Sequence, residues 1–365
     1  MSGAPEGHAD TGAEQNHSDD ERLLFEPLSH EEILNCAFSS WYPRFRRVTI
    51  KSEIIKPLER DFVDYLLADG VVLPEHEDRQ YRGEIEVVGG SGSEWSEWSD
   101  DGEDGDGDGD GDAEASDVRR LAQSPGVKRT CAEIRRRIEA LGGEVFLRMG
   151  WSAPADASWI TSTGTLKCRG VPDICSLLKG SNAIARDLAA GRYGVQPSGA
   201  EPELVLRRWA NLTPSMLFRC FVRFTRLVAI SQVDYQHYAF LAGMADEITA
   251  KLTRFFADHV AAQFPSQSYC FDAYIAAAGR DQVFVVDFEP WAHSVDTYLF
   301  SWRELAADAA EFLGLRLFPE YASGLAYYSS RYAASRCPAE VTDDALRGSV
   351  AAAIERMKSE HQGAQ

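Results

Sequence analysis

Residues 283–290 constrain the fold more than any other segment of this 365-residue chain. Their sequence is Val-Phe-Val-Val-Asp-Phe-Glu-Pro, in which β-branched and aromatic residues favour a strand. Successive side chains of a strand point to opposite faces, so Asp287 and Glu289 are predicted to share one face at the end of an apolar strand. The chain must therefore build a sheet that accommodates two neighbouring carboxylates.

Carboxylates in this position need compensation for their desolvation and their mutual repulsion. Mg²⁺ provides it, because it takes oxygen ligands from one or two carboxylates and completes its shell with phosphate oxygens and water. Asp272, shortly before the strand, can supply a third carboxylate. The pattern predicts a metal site at Asp272, Asp287 and Glu289. Two alternatives stay open: a solvated strand end, and carboxylates that pair with arginine.

Arginine occurs in two other segments that are predicted to be strands. Residues 203–209 end in Arg207, Arg208 and Trp209, and Arg219 lies in an apolar segment further along. The planar guanidinium offers paired donors that suit phosphate, and the backbone of a strand end can bond adenine. Alternatively, these arginines pair with the carboxylates. Either interpretation places them in one cleft.

A third candidate segment, 148–154, begins at the end of the predicted strand 144–149. It contains Arg148, Gly150, Trp151 and Ala153, and its small residues would let a nucleotide approach the backbone closely. The chain has neither G-x-x-x-x-G-K-[ST] nor G-x-G-x-x-G, so the common phosphate-loop and dinucleotide folds are not supported. No Ser/His/Asp or Cys/His set stands out, so no catalytic residue is assigned.

Helices and strands follow one another without the regular βαβ rhythm of a doubly wound sheet, which indicates an α+β fold. His259, on a long amphipathic helix, is expected to have a surface or packing role. Three helices are predicted: a short one that begins at His30, and two that span Ala132–Leu141 and Met244–Phe264. The predicted strands are Glu144–Met149, Glu203–Trp209 and Gln282–Phe288, and a hairpin is predicted from Phe218–Phe224 and Leu227–Ser231.

The net charge of −20 argues against nucleic acid as the main partner, since phosphate binding needs excess Lys and Arg. The basic and aromatic segment 41–50 is accordingly expected to bury its aromatic rings, expose its arginines and lead into a strand.

The seven cysteines are scattered without a C-x-x-C pair, which indicates reduced thiols. No signal segment or membrane-spanning run is recognised, so we expect a soluble cytoplasmic protein.

Two segments have compositions typical of disorder. Residues 1–28 are predicted to be a disordered tail, and an acidic Gly/Asp-rich insertion is predicted at about 90–118. The main domain is expected to span 29–335, followed by a helical or flexible tail at 336–365. The insertion does not match a calcium-binding loop, because the twelfth position of its best alignment is Ala115 instead of Glu.

In their order and spacing, segments between about residue 34 and residue 305 resemble the cell division cycle protein 123 family, also called the D123 family. No single motif is decisive, but the collinear set is specific. The matching segments are Cys36–Pro43, Val48–Ser52, Asp64–Gly70, Trp98–Asp101, Leu141–Gly143, Trp151–Pro154, Leu166–Cys168, Glu203–Trp209, Phe218–Val222, Ile230–Gln232, Val286–Phe288 and Phe300–Glu304.

The resemblance implies an ATP-grasp-like fold, in which two α+β lobes enclose a nucleotide cleft with ATP and Mg²⁺. It also implies a monomeric assembly chaperone that binds the γ subunit of eukaryotic translation initiation factor 2. The ATP-binding residues would be Arg148, Gly150, Trp151, Ala153, Asp156, Arg207, Arg208, Trp209, Arg219 and Asp234, and the metal ligands Asp272, Asp287 and Glu289.

Two positions depart from the family pattern. Glu289 stands where the family has Asn, and Arg148 stands where it has a phosphate-contacting Lys. Glu keeps an oxygen ligand but adds a charge, and Arg keeps the positive charge on a bulkier, forked group. Both changes bear on the affinity for ATP.

Two other functions remain as alternatives. An ATP-grasp ligase that joins a carboxylate to an amine would need a dedicated basic group for an acyl phosphate, and none is identified. A scaffold with a vestigial nucleotide site would be expected to have lost its carboxylates and arginines, whereas all three candidate segments retain them. The sequence therefore favours an ATP-binding chaperone, with at most slow ATP hydrolysis, over an enzyme.

Overall fold

The computed structural model describes residues 27–70, 72–74, 117–161, 164–190, 201–276, 282–307 and 311–320. The chain divides into two compact units. The first comprises Met1–Lys51, Tyr193–Ala200 and Ala210–Gln365, and the second comprises Ser52–Arg192 and Glu201–Trp209.

The two segments predicted to be disordered lie almost wholly outside the described residues, and the predicted C-terminal tail at 336–365 lies outside them entirely. At their margins the structure shows more order than predicted. Leu28 packs against a hydrophobic cluster of the first unit. Val118 is buried in a helical segment at 117–122.

The α-helices are, in chain order, α1 (His30–Asn35), α2 (Phe38–Phe45), α3 (Arg60–Leu67), α4 (Pro125–Leu141), α5 (Val171–Lys179), α6 (Asn182–Ala190), α7 (Ala239–Ala242), α8 (Ala245–Phe255) and α9 (Trp302–Ala306). Short 3₁₀ turns occur at Ala155–Ile160 and Pro214–Met216, and a π-helical turn, Phe256–Val260, directly follows α8.

The strands are β1 (Ser52–Ile55), β2 (Val145–Met149), β3 (Lys167–Cys168), β4 (Leu204–Arg208), β5 (Leu217–Arg223), β6 (Arg226–Gln232), β7 (Tyr269–Ile275), β8 (Val283–Pro290) and β9 (Leu315–Arg316). They form two separate sheets, one in each unit.

The second unit contains a four-stranded antiparallel sheet in the order β1-β4-β2-β3. Apolar residues of its strands and of α3 to α6 form one continuous hydrophobic core. Helix α4 begins seven residues earlier than predicted, because the Ser124 hydroxyl accepts from the Val127 amide and Pro125 fits the first turn. It ends where predicted, at Gly142 in the left-handed conformation (φ 97°).

The first unit contains a five-stranded sheet in the order β8-β7-β5-β6-β9. All pairs are antiparallel except β6 with β9. The predicted hairpin and the strand at 283–290 are confirmed. Segment 41–50 does not lead directly into a strand: it forms α2, and Thr49 then makes an isolated parallel bridge to Val285.

Packing of α2 explains why its sequence mixes aromatic and basic residues. Trp41 and Phe45 are fully buried and contact the ring of Phe288, at centroid distances of 5.3 and 4.9 Å. Arg46 and Arg47, just after the helix, are exposed. The prediction of buried rings and exposed guanidinium groups is confirmed, because an arginine after a buried aromatic can reach water while its neighbour packs.

Candidate functional site

Arg219, Asp272 and Asp287 lie side by side on three adjacent strands of the first unit. Arg219 on β5 is directly opposite Asp272 on β7, and Asp272 is directly opposite Asp287 on β8. Directly opposed residues point to the same face of a sheet, so these three form one row. Glu289, two residues after Asp287, lies on the same face. The sheet thus gathers three of the sequence-predicted carboxylates and one arginine, which we call the acidic row.

A β-bulge precedes Asp287. Asp272 is opposite Asp287, whereas the next residue of β7, Ala273, is opposite Val285, so β8 contains one additional residue. Bulges increase the local twist and re-aim the side chains beside them, and they are over-represented near active sites. The bulge therefore helps to set the direction of the Asp287 carboxylate.

Arg219 and Asp272 form a buried ion pair with two hydrogen bonds. Nε of Arg219 donates to Oδ1 of Asp272 at 2.8 Å, and Nη2 donates to Oδ2 at 2.9 Å. Nη1 donates to the backbone carbonyl of Asp296 at 2.9 Å, and the Tyr298 ring centroid lies 5.1 Å from the guanidinium carbon. Burial by itself lowers the pKa of Arg219, but Asp272, Tyr298 and Glu289 outweigh it and hold the pKa well above its ordinary value. The arginine–carboxylate pairing that the sequence left open is therefore present at this pair.

The acidic row contains three carboxylates and one guanidinium. Oδ1 of Asp287 is buried, and Glu289 is half-buried. Among the described residues, no group of three or more His, Cys, Asp or Glu is arranged to hold a metal ion. Mg²⁺ seldom uses such a cage and usually takes one or two carboxylates together with phosphate oxygens. Asp287 and Glu289 match that smaller donor set, so the row fits Mg²⁺ that is held jointly with a phosphate ligand.

Asp296 and Tyr298, which the sequence did not single out, brace Arg219. The Asp296 carboxylate accepts from the Tyr235 hydroxyl at 2.7 Å and from the Tyr298 amide at 2.8 Å. Tyr298 has a φ of 53°, which is unfavourable for an aromatic residue and is held by this contact. An Asp that bonds the amide two residues on is a recognised turn signal, and it was available in the sequence at Asp296.

Asp234, predicted to contact ATP, lies just after β6. Its Oδ2 accepts from the Tyr238 hydroxyl at 2.6 Å. The buried Gln232 side chain donates to the carbonyls of Asp234 and Gln236, both at 2.7 Å. The loop that carries Asp234 is therefore held in place from within the sheet.

Arg148, in the second unit, is buried and folds back on the turn that follows β2. Its Nε donates to the carbonyl of Met149 at 3.2 Å, and its Nη2 donates to the carbonyl of Trp151 at 2.6 Å. These bonds fix the turn that carries Gly150, Trp151 and Ala153. The turn is closed by the Met149 amide, which donates to the Ser152 carbonyl at 2.9 Å.

Gly150 is needed for a protein contact. Its amide donates to the carbonyl of Glu203 at 3.1 Å, and a Cβ atom at this position would lie 3.0 Å from Cγ of Glu203. The buried Glu203 carboxylate in turn lies 3.1 Å from Nζ of Lys56. The small residue that the sequence associated with a nucleotide thus admits the Glu203 side chain.

Asp156 caps a helix. Its Oδ1 accepts from the Ser181 hydroxyl at 2.6 Å, and its Oδ2 accepts from the Ala183 amide at 3.1 Å, at the beginning of α6. A carboxylate at a helix N-terminus satisfies amides that have no partner inside the helix. The geometry gives Asp156 this structural role, and its predicted contact with ATP stays a prediction.

Arg207, Arg208 and Trp209 occupy the end of β4. Arg207 is buried, Arg208 is exposed, and the Trp209 amide donates to the carbonyl of Glu144 at 2.9 Å. Nζ of Lys167, on β3, lies 5.7 Å from the Trp209 ring centroid. The sequence assigned no role to Lys167. Its position beside a candidate adenine-binding segment follows from the pairing of β3 with β2 and of β2 with β4.

Comparisons with known proteins agree with one another. The family model described as D123 matches residues 41–345. A protein of Xenopus tropicalis named "Translation initiation factor eIF2 assembly protein" is 32% identical over 283 residues, which cover 76% of this chain and 79% of the relative. A protein of Yarrowia lipolytica named "Cell division cycle protein 123" is 32% identical over 339 residues, which cover 91% of this chain and 84% of the relative.

A solved structure shares the fold. Cdc123 from Schizosaccharomyces pombe matches with a TM-score of 0.63 and 28% identity, covering 81% of this chain and all of that chain. The predicted α+β, ATP-grasp-like fold class is therefore confirmed. Within the described part of the chain, no helix is long and apolar enough to cross a membrane.

Proposed function

The chain belongs to the D123 family, and on this premise we propose that it promotes the assembly of the translation initiation factor eIF2. The main support is the set of relatives that bear the name eIF2 assembly protein. One of them, from Candida albicans, is 34% identical over 293 residues, which cover 76% of this chain and 79% of the relative. Identity at this level over most of both chains supports a shared role. The partner we propose is the γ subunit, bound by a cytoplasmic, monomeric chaperone.

We further propose that the first unit binds Mg²⁺ together with the phosphates of ATP. Asp287 and Glu289 would supply oxygen ligands to the ion. The hydrogen bonds of Arg219 use three of the five N–H donors of a guanidinium, so two remain that can contact a phosphate oxygen. Asp272 holds Arg219 in place. The contacts proposed for the second unit, at Arg148, Arg207, Arg208 and Trp209, stay predictions.

A reconstitution experiment tests the assembly function. Separately purified eIF2 subunits are mixed with and without the full-length chain, and the assembled complex is quantified by size-exclusion chromatography. We expect the chain to increase the yield when Mg²⁺ and ATP are present, and to co-elute with the isolated γ subunit. An unchanged yield together with no binding to γ would contradict the proposed function.

A further inference from the structure

A second feature of the first unit lies at the Val283 end of β8, away from the acidic row. A half-open groove of about 240 Å³ is lined by β8, α8, the π-helical turn and the segment after α2. Four of its side chains are basic: Arg47, Lys251, Arg254 and His259. We call it the basic groove. None of these residues belongs to the predicted nucleotide or metal site.

Two segments that are distant in the sequence supply these basic groups. Arg47 ends the arginine-rich stretch after α2, while Lys251, Arg254 and His259 lie on α8 and the π-helical turn. Arg47, Arg254 and His259 are exposed. Lys251 is half-buried, and its Nζ lies 2.7 Å from Glu247.

Packing on the inner side of both elements fixes the backbone that carries these side chains. Trp41 and Phe45 anchor α2, and Leu252 anchors α8, because all three are fully buried. The π-helical turn places Asp258 and His259 on the groove, and the Ala261 amide donates to the Phe256 carbonyl five residues earlier. Single π-helical turns occur frequently at functional sites. The basic groove is therefore a fixed feature of the fold.

Apolar residues complete the basic groove. Val48, Phe255, Val283 and Phe284 also line it, and Asp258 is its only carboxylate among the described residues. A free phosphate would leave this apolar surface without a partner. A long polyanion such as RNA would meet the field of a chain with a net charge of −20. The ligand chemistry that matches both parts is a short peptide that combines acidic and apolar side chains.

We propose that the basic groove binds an acidic segment of a partner protein. Carboxylates of the segment pair with Arg47 and Arg254, whose guanidinium groups offer two-point hydrogen bonds. An apolar side chain of the same segment packs against Val283 and Phe284. Local charge of the opposite sign to the whole chain makes the site selective for such segments.

The test measures the fluorescence anisotropy of a labelled peptide with the core Asp-Glu-Phe-Asp-Glu-Leu, bound to the full-length protein. Arg47→Glu combined with Arg254→Glu is compared with Arg60→Glu combined with Arg120→Glu. The second pair makes the same change in net charge at exposed arginines of the second unit. Circular dichroism melting shows that each variant is folded.

We expect the Arg47/Arg254 variant to bind the peptide at least about tenfold more weakly, and the Arg60/Arg120 variant to bind like the wild type. Phe284→Ala should also weaken binding, and a peptide with Asn and Gln in place of the acids should not bind. Equal losses in both charge variants, or no loss in either, would overturn the proposal. So would tighter binding of a single-stranded RNA of equal length, or full competition by inorganic phosphate, since those results would assign the groove to another ligand.

Discussion

Arg219 and Asp272 share two hydrogen bonds across β5 and β7, at 2.8 and 2.9 Å, and each oxygen of the Asp272 carboxylate accepts one of them. The pair lies in the same row as Asp287, so its geometry fixes the surroundings of the proposed metal ligand. A buried ion pair adds little net stability by itself, but the loss of one partner leaves the other charge uncompensated.

Removal of one partner should therefore be costly. We expect Arg219→Ala or Asp272→Ala alone to lower the free energy of unfolding by about 3–5 kcal/mol, because each leaves a buried charge uncompensated. The double variant should be less destabilised than the sum of the two. Urea denaturation measures all three, and Arg219→Lys serves as a control that keeps the charge but not the fork. Strictly additive losses would show that the two side chains act independently.

Asp287→Ala should weaken Mg²⁺-dependent ATP binding by about tenfold or more, which is the range seen when metal coordination is disturbed. The loss should disappear when ATP is titrated without Mg²⁺. Asp117→Ala is the matched control, because Asp117 is an exposed carboxylate of the second unit that pairs with Arg120. Isothermal titration calorimetry gives both affinities. Equal ATP affinity of Asp287→Ala and the wild type at saturating Mg²⁺ would remove Asp287 from the proposed site.

Gly150→Ala should destabilise the second unit by about 1–3 kcal/mol, the usual range for overpacking. The added Cβ would lie 3.0 Å from Cγ of the buried Glu203, which its pairing with Lys56 restrains. Gly243→Ala is the control, since its Cβ would meet only the Phe240 carbonyl, at 3.7 Å. Thermal unfolding should show a lower midpoint for Gly150→Ala alone. If the two variants melt together, Glu203 can move aside.

The Glu304–Arg316 pair predicts a dependence of stability on pH. Burial raises the pKa of Glu304, but the hydrogen bonds from Arg316 and Ser301 outweigh it, so the pKa lies below its ordinary value. A carboxyl group whose pKa is lower in the folded state stabilises the protein above its unfolded pKa, and this stabilisation is lost as the pH falls through the folded pKa. Glu304→Gln should therefore be less stable than the wild type at about pH 7, and the gap should shrink at about pH 4. A constant gap in urea denaturation across this range would contradict the assignment.

Much of the local structure could be predicted because its signals are short-range. The strand at Val283–Pro290 follows from its composition, and the hairpin of β5 and β6 from two apolar runs beside a turn. The earlier beginning of α4 was missed although Ser124 and Pro125 form a recognisable helix start. Apolar periodicity alone indicates the helix from Ala132 onward, and only the capping signals indicate the seven residues before it.

The acidic row could be predicted in composition but not in arrangement. Which carboxylate is opposite Arg219 depends on the register of β5 with β7, two strands separated by more than forty residues, and on the bulge before Asp287. The family resemblance implied ATP contacts for Arg148 and Asp156. In the structure Arg148 donates to the Trp151 carbonyl, and Asp156 accepts from the Ala183 amide at the beginning of α6. Local sequence does not encode the tertiary partner of Asp156, which lies 27 residues further along the chain.

The bridge between Thr49 and Val285 has a consequence for solubility. Strand β8 is the outermost strand of its sheet, and its run of valines would otherwise present open main-chain groups to other molecules. The Val285 amide donates to the Val48 carbonyl at 2.8 Å, and the Thr49 hydroxyl donates to the Val285 carbonyl at 2.7 Å. This short segment occupies main-chain groups at the edge where another copy could add a strand, and so protects the chain against edge-to-edge aggregation.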